Sequence, residues 1–250
     1  MGLKTCIKNI VMNSSVLREL FFRARASKLN RELERKYGNI SRKGIFENIY
    51  SNFTWGGGGS ERFYSGPGSH TDIYVSPYCE LIKTFLTEHP DVKHVVDFGC
   101  GDFNVASHFI SDNIDYTGVD IVEEMIASHQ KKYASGRVHF VCLDIVDDDL
   151  PDGDLCLIRQ VLQHLSNNDI SKVLAKLKKY KYALITEHVT PKAQARVFNA
   201  DLRTGHHNRS AFLSGIYPDE APFSIPCEVV MRIPYDAKGT SELATYLVRN

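Results

Sequence analysis

From residue 75 onward, short apolar runs alternate with helix-like segments, and this alternation constrains the fold more than any other feature. We predict five strands, at 94–99, 115–120, 138–144, 155–160 and 182–188. We predict the accompanying helices at 78–88, 105–110, 122–133 and 170–179. Because strands that alternate with helices form parallel βαβ units, the sheet should be mostly parallel and covered by helices on both faces.

Two more strand-like runs, at 228–235 and 244–249, close the sequence with only a short gap between them. Parallel neighbours need a crossover of roughly a dozen residues or more, so this pair should form an antiparallel hairpin. The sequence therefore predicts an α/β fold with a seven-stranded, mostly parallel sheet that ends in an antiparallel hairpin.

The N-terminal part of the chain has a different character. Residues 1–43 carry eleven Lys and Arg against three Glu, a net charge of +8, although the whole chain balances 30 basic with 30 acidic residues. Residues 7–24 predict an amphipathic helix whose apolar face contains Ile7, Ile10, Val11, Leu17, Leu20, Phe21 and Ala24. Such a helix either docks on the body of the protein or contacts an anionic membrane surface or a partner.

Residues 51–70 read as a loop, because four consecutive glycines follow Trp55, the only tryptophan. The aromatic and charged residues on this glycine-rich stretch suit a lid that closes over a ligand, and a passive linker is the alternative. We therefore divide the chain into a basic helical extension (1–50), a glycine-rich lid or linker (51–70) and a main domain (71–250).

The strongest local signal is the sequence VVDFGCGDFN at 95–104, where a predicted strand runs into a glycine turn and then a predicted helix. Gly99 and Gly101, on either side of Cys100, let the backbone approach a ligand closely, and the helix would offer unpaired N–H groups. Acidic residues also end the next two strands. Asp120 can accept hydrogen bonds from ribose hydroxyls, and Asp144 can receive the amine of adenine. The three strand ends should meet at one edge of the sheet, around one nucleoside.

Two nucleoside cofactors compete for this site, a nicotinamide dinucleotide and S-adenosylmethionine. The dinucleotide fingerprint requires a third glycine where this chain has Asn104. Asp97 would repel a pyrophosphate, but it can attract the positive charges of S-adenosylmethionine. The residues therefore favour S-adenosylmethionine, and a dehydrogenase is the weaker interpretation.

In these motifs, and over roughly residues 70–250, the chain resembles the class I S-adenosylmethionine-dependent methyltransferases. The resemblance implies a Rossmann-like, doubly wound sheet. It is closer to a subgroup of bacterial methyltransferase-domain proteins, through SGPGS at 65–69, RQVLQHLS at 159–166 and TEH at 186–188. Some members of that subgroup occur among surface-glycan and secondary-metabolite genes. The cofactor site implied by the resemblance consists of Asp97, Gly99, Cys100, Gly101, Asn104, Asp120, Ile121, Asp144, Ile145, Arg159 and Gln160.

Methyl transfer to a hydroxyl needs alignment, exclusion of water and removal of a proton. His164 is the first candidate for the base, because an ordinary imidazole titrates near ~6.5, and a packing role is the alternative. Glu187 and His188 end the fifth strand and are further catalytic candidates, because a carboxylate there could orient an imidazole. Adjacent strand residues point to opposite faces, however, so both can enter the site only with a local bend. For the acceptor we expect contacts from Trp55, Ser65 and Gly66, and from Asp201 and Arg209 of the polar segment 199–210. We predict no metal site.

The leading hypothesis is an enzyme that methylates a hydroxyl group of a small molecule or a glycan. The alternatives are a nucleic-acid or protein methyltransferase that uses the basic extension as an anchor, and a non-catalytic S-adenosylmethionine-binding module. The zero net charge does not favour a dedicated nucleic-acid binder. Six scattered cysteines without a C-x-x-C pair indicate a reducing compartment, so we expect a cytoplasmic protein, peripheral to the membrane if the extension binds lipid.

Overall fold

A computed structural model describes residues 14–58 and 62–250, and one seven-stranded sheet lies at its centre. The strands are β1 His94–Phe98, β2 Asp115–Asp120, β3 Val138–Cys142, β4 Leu155–Arg159, β5 Tyr182–Val189, β6 Glu228–Pro234 and β7 Glu242–Arg249. Their order is β3-β2-β1-β4-β5-β7-β6. All pairs among β1 to β5 are parallel, and β7 is antiparallel to both β5 and β6. The predicted sheet and its C-terminal hairpin are confirmed.

Five α-helices accompany these strands in the described part of the chain. They are α1 Ser15–Tyr37, α2 Arg42–Ser51, α3 Asp72–Glu88, α4 Glu123–Lys132 and α5 Asn167–Lys176. Ser14, Ser41 and Ser166 precede α1, α2 and α5, and each side chain accepts a hydrogen bond from a backbone N–H of the first turn. These serines satisfy N–H groups that the helix itself leaves without partners.

The sheet separates two hydrophobic cores because alternate strand residues point to opposite faces. On one face, Val96 and Phe98 of β1 pack with α5 through Ile170 and neighbouring residues. On the other face, Val95 packs with α3 through Ile82 and neighbouring residues. Burial on both faces explains why these strands read as continuous apolar runs.

The helix predicted at 105–110 is wrong: only a short 3-10 helix, Ala106–His108, follows the β1 turn. Phe103 adopts a left-handed backbone conformation with φ of +66°. The Asp102 carboxylate accepts a hydrogen bond from the backbone N–H of Asn104, which competes with helical pairing. In the described structure, the turn between Gly99 and Gly101 is therefore not followed by an α-helix whose N-terminus could face it.

The predicted apolar face of the first helix is also wrong where the structure describes it. Residues 7–13 lie outside the described residues, and α1 begins at Ser15. Leu17, Leu20, Phe21 and Ala24 are exposed, Leu20 by 58%. The buried face instead contains Phe22, Ala26, Leu33 and Tyr37.

The reason is the position of α1 on the body of the protein. Phe22 and Ala26 pack against Leu202 and Phe212, which follow β5 in sequence. Leu33 and Tyr37 pack against Ile45 and Ile49 of α2. Both neighbours contact the side of α1 that lies opposite the predicted apolar face. The division at residues 50 and 70 stays a prediction.

Among the described residues, no helix is both long and apolar enough to cross a membrane.

We expect Leu33→Ala to destabilise the docking of α1 by about 2–4 kcal/mol, because it removes a buried side chain from a packed contact. Hydrogen exchange of the α1 amides should speed up accordingly, and thermal unfolding should shift to lower temperature. The matched control is Leu20→Ala, an exposed residue of the same helix, which should change stability by less than about 0.5 kcal/mol. Equal effects of both substitutions would contradict the observed face.

Candidate active site

The turn after β1 forms the floor of a pocket at the carboxyl edge of the sheet. Gly99 and Gly101 have φ values of +73° and +55°, which disfavour any residue with a side chain. A Cβ atom on Gly99 would lie 2.5 Å from the Val161 side chain, and one on Gly101 would lie 2.4 Å from Ser65 Oγ. Cys100 lines the same pocket between them. The turn therefore requires glycine both for its backbone and for the space above it.

Two buried carboxylates stand beside this turn. Asp97 Oδ2 accepts a hydrogen bond from the Tyr116 hydroxyl at 2.8 Å. The Asp120 carboxylate accepts from the backbone N–H groups of Gly101 and Val122, both at 3.1 Å. Burial raises the pKa of each carboxyl to about 6, although these hydrogen bonds partly oppose the shift. Both groups stay ionised at neutral pH and keep oxygen lone pairs for a ligand.

Asp144 lies at the next strand end, together with Ile121 and Ile145 in the pocket lining. Its carboxylate pairs with Arg42 of α2, a residue that the sequence analysis did not single out. Arg42 also reaches Asp147 at 3.1 Å and Asp169 at 3.2 Å. The basic extension therefore closes this end of the pocket.

Arg159 and Gln160 end β4 and also line the pocket. Arg159 donates to the carbonyl oxygen of Gly68 at 2.7 Å and to Ser69 Oγ at 3.3 Å. Its guanidinium also lies 5.0 Å from the centre of the Tyr78 ring. Its Nε is buried and has no hydrogen-bond partner, so one donor remains for a ligand. Gln160 has φ of +56°, and its side chain packs where a Cβ atom on Gly68 would stand.

Residues 65–69 form a roof over the β1 turn. Ser65 N donates to Asp102 Oδ2 at 2.6 Å, and Asp102 N donates back to Ser65 Oγ at 2.9 Å. Tyr50 of α2 shares a hydrogen bond of 3.0 Å with the same hydroxyl. Ser65 and Gly66 both line the pocket, whereas Asn104 does not. Asn104 instead donates to the carbonyl oxygen of Ser69 at 2.7 Å, so it supports the roof from outside.

The far end of the pocket is walled by aromatic and neutral polar side chains: Trp55, His164, His188, His206, Asn208 and Tyr235. The Trp55 and His164 rings lie 4.8 Å apart, and Trp55 Nε1 donates to the His206 carbonyl oxygen at 3.3 Å. The ring of Tyr235, which the sequence analysis placed only at a strand end, lies 4.0 Å from that of His188. We call this region the acceptor end.

Burial keeps two of these imidazoles neutral at physiological pH. It lowers the pKa of His164 to about 3 and that of His188 to about 4, because a charged ring would lose its hydration. His164 Nδ1 and His188 Nε2 are both buried without a hydrogen-bond partner. The ordinary imidazole pKa of ~6.5, which the sequence analysis assumed for His164, therefore does not apply to that ring.

Glu187 does not line the pocket, contrary to its predicted place in the site. Its carboxylate accepts hydrogen bonds from the backbone N–H groups of Val161, Leu162 and Gln163. Burial raises its pKa to about 7. The alternation of strand side chains separates it from His188, as the sequence analysis anticipated for adjacent residues.

Arg209 and Asp201 also lie outside the pocket lining, contrary to their expected contact with the acceptor. Arg209 is fully buried and donates to the carbonyl oxygens of Ala200, Gln163 and Leu165. Asp201 accepts from the backbone N–H of Asn167 at 2.8 Å. Both side chains hold the segment after β5 against the body, so His206 and Asn208 are the residues of that segment that reach the pocket.

The residues present fit S-adenosylmethionine. Ionised Asp97 and Asp120 suit an ammonium group and the hydroxyls of a ribose, respectively. The unpartnered Arg159 Nε suits a carboxylate, and the glycine turn leaves room that any Cβ atom would fill. The individual ligand roles of these residues stay predictions. Among the described residues, no group of three or more His, Cys, Asp or Glu is placed to hold a metal ion.

Comparison with known proteins identifies the domain. Residues 95–180 match the model of a methyltransferase-domain family. The structure of magnesium protoporphyrin IX methyltransferase from Synechocystis PCC 6803, with bound S-adenosylmethionine, shares 16% identity, with a TM-score of 0.52 over 86% of this chain and 100% of that chain. Human N-acetylserotonin methyltransferase in complex with S-adenosylmethionine shares 14% identity over 96% of this chain and 68% of that chain, with a TM-score of 0.49. No curated protein matches the sequence.

At these identities, the structural likeness establishes the fold alone. The methyltransferase-domain match over residues 95–180 and the Rossmann-like sheet together indicate an S-adenosylmethionine-dependent methyltransferase, with S-adenosylmethionine as its cofactor. The methyl acceptor does not follow from either comparison.

We expect Asp120→Ala to weaken binding of S-adenosylhomocysteine by about ten-fold or more, because it removes hydrogen bonds to a charged group. Isothermal titration calorimetry measures this directly. Asp115→Ala is the matched control, since Asp115 begins the same strand and pairs with Arg137 at the opposite edge. An unchanged affinity in Asp120→Ala would contradict the assignment.

The affinity of the unsubstituted enzyme for S-adenosylhomocysteine should also fall as the pH drops through about 6, because the Asp97 and Asp120 carboxylates take up protons there.

Proposed function

We propose that this enzyme transfers a methyl group to an oxygen atom of a small molecule or a glycan. The observation that carries the proposal is the composition of the acceptor end, whose lining residues in the described chain include aromatic and neutral polar side chains but no carboxylate. An amine acceptor enters as an ammonium ion and would gain most from a carboxylate at that position. A neutral or anionic oxygen acceptor has no positive charge for a carboxylate to balance.

The enclosure of the acceptor end supports a small acceptor over a large one. Trp55 covers the pocket between His164 and the backbone of His206. Arg42 and the roof at 65–69 cover the cofactor end. A nucleic-acid duplex or a folded protein surface would have to displace these segments, whereas a single sugar or a small molecule would not. The nucleic-acid or protein methyltransferase is therefore the weaker alternative.

In the reaction, the cofactor supplies a methyl carbon that is already activated by its sulfonium charge. The chain positions the reactants and excludes water. Asp97 and Asp120 would hold the charged and hydroxylated parts of the cofactor, and Arg159 would bind its carboxylate. Trp55 and Tyr235 shape the acceptor end, and closure by the roof lowers the local dielectric around the reacting atoms.

The proposal includes a cytoplasmic location with peripheral contact to the membrane. Helix α1 exposes Leu17, Leu20 and Phe21, and it also exposes the basic residues Arg25 and Lys28. Apolar side chains flanked by basic ones are suited to the surface of an anionic bilayer. This contact would hold the enzyme near a membrane-bound glycan acceptor.

Methyl-labelled S-adenosylmethionine, incubated with the enzyme and fractionated cell extract, tests the proposed acceptor. We expect label in the glycan or small-molecule pool, bound to oxygen. Asp120→Ala is the control for background transfer, since its weaker cofactor binding should lower enzymatic transfer at limiting S-adenosylmethionine. Label in nucleic acid or protein would overturn the proposal, and absence of transfer to any pool would favour a non-catalytic module.

Vesicle co-sedimentation tests the membrane contact. The enzyme should bind vesicles that contain phosphatidylglycerol and not vesicles of phosphatidylcholine alone, because each basic residue near an anionic surface contributes roughly 1 kcal/mol. The double variant Leu20→Glu, Phe21→Glu should lose this binding and retain its affinity for S-adenosylhomocysteine. Equal binding of the variant would refute a role for α1.

A further inference from the structure

Two hydrogen-bond relays determine which ring nitrogens carry protons at the acceptor end. Asn208 Oδ1 accepts hydrogen bonds from Ser210 N at 3.2 Å and from Ser210 Oγ at 2.7 Å. Both donors fix the orientation of the Asn208 amide. Its Nδ2 therefore faces His188 Nδ1, at 3.3 Å, as a donor. His188 Nδ1 must accept that bond, so in the neutral ring the proton resides on Nε2.

The second relay does the same for His164. Gln163 Oε1 accepts from the backbone N–H of His188 at 3.3 Å, which orients the Gln163 amide. Its Nε2 then donates to His164 Nε2 at 3.2 Å. The basic nitrogen of His164 is thereby occupied, and its proton lies on Nδ1. Neither ring offers a free lone pair to a substrate.

Apart from His206, the other titratable groups of the pocket do not replace these imidazoles as a base. Burial raises the pKa of the phenols of Tyr50, Tyr78 and Tyr235, so they stay protonated. The lining carboxylates lie at the cofactor end, where each accepts hydrogen bonds from the chain: Asp97, Asp102, Asp120 and Asp144. His206 is the remaining imidazole, and no hydrogen bond to its Nδ1 fixes its tautomer.

We propose that His188 acts as a hydrogen-bond donor through Nε2–H, and that the acceptor is a carboxylate oxygen rather than a hydroxyl. The inference rests on the proposed O-methyl transfer and narrows its substrate class. A carboxylate has no proton to lose, so the reaction forms one O–CH3 bond and breaks one S–CH3 bond, whose electron pair stays on sulfur. The step needs no base, and the unpartnered Nε2–H of His188 orients the attacking anion.

The tautomer is tested without any substrate. A long-range proton–nitrogen correlation spectrum of the enzyme with S-adenosylhomocysteine should show a protonated Nε2 and an unprotonated Nδ1 for His188, assigned by loss of its signals in His188→Gln. Asn208→Asp replaces the donor with an acceptor, so the proton should move to Nδ1. A proton on Nδ1 in the unsubstituted enzyme would overturn the proposal.

The product chemistry is tested separately. Methyl esters release methanol in mild alkali, whereas methyl ethers do not. We expect the labelled product from the extract assay to release labelled methanol. Alkali-stable label on oxygen would refute the carboxylate and leave O-methyl transfer intact, with His206 as the base. Label on nitrogen or carbon, or no transfer, would refute the proposed function itself.

The same assay measures the role of the relay. Asn208→Asp should lower kcat for ester formation by about 10- to 100-fold, because the donor to a charged oxygen is lost, while the affinity for S-adenosylhomocysteine stays within about two-fold. His207→Gln is the matched control, an exposed imidazole on the same segment that does not line the pocket, and it should match the unsubstituted enzyme. A higher kcat in Asn208→Asp would indicate that Nε2 serves as a base and would overturn the proposal.

Discussion

The short turn from Val161 to Leu165 is held by a buried acidic side chain, Glu187, and a buried basic one, Arg209, and the rest of the site depends on it. The Glu187 carboxylate accepts hydrogen bonds from three backbone N–H groups at the start of this turn. Arg209 donates to the carbonyl oxygens of Gln163 and Leu165, both at 2.8 Å. Both side chains are fully buried. Removing either side chain alone would leave buried backbone N–H or C=O groups of the turn without hydrogen-bond partners, which carries a large cost in stability.

This turn connects three parts of the pocket. The Val161 side chain fills the space that a Cβ atom on Gly99 would occupy. The position of the 161–165 turn therefore fixes how closely it packs on the glycine turn that forms the floor of the pocket. The Gln163 amide links the His188 backbone to the His164 ring. The His164 carbonyl accepts from Gly205 N at 3.0 Å, which anchors the polar segment after β5. A shift of the turn would therefore move the cofactor floor and the acceptor wall together.

The sequence predicted the sheet because its strands are apolar on both faces and are separated by helices or turns. It placed Asp97 and Asp120 in the pocket because the carboxyl ends of parallel strands share an edge. It was wrong about the pocket position of Glu187 and Arg209, since residue type and strand end do not specify where a side chain points. Arg42 was missed because no local pattern relates it to Asp144, which lies 102 positions away.

The boundary of the family match explains why the cofactor is established and the acceptor is not. Residues 95–180 contain the glycine turn, Asp97, Asp120 and Arg159, which surround the cofactor end. Most of the residues that wall the acceptor end lie outside that range: Trp55, His188, His206, Asn208 and Tyr235. His164 is the member of this wall that lies inside it, so the acceptor end is built mainly from segments that flank the matched domain. Substitutions in the flanking segments can change which acceptor the enzyme binds while the cofactor floor stays the same. The chemistry of the acceptor therefore depends on the walls of the acceptor end and on the hydrogen bonds that orient their side chains.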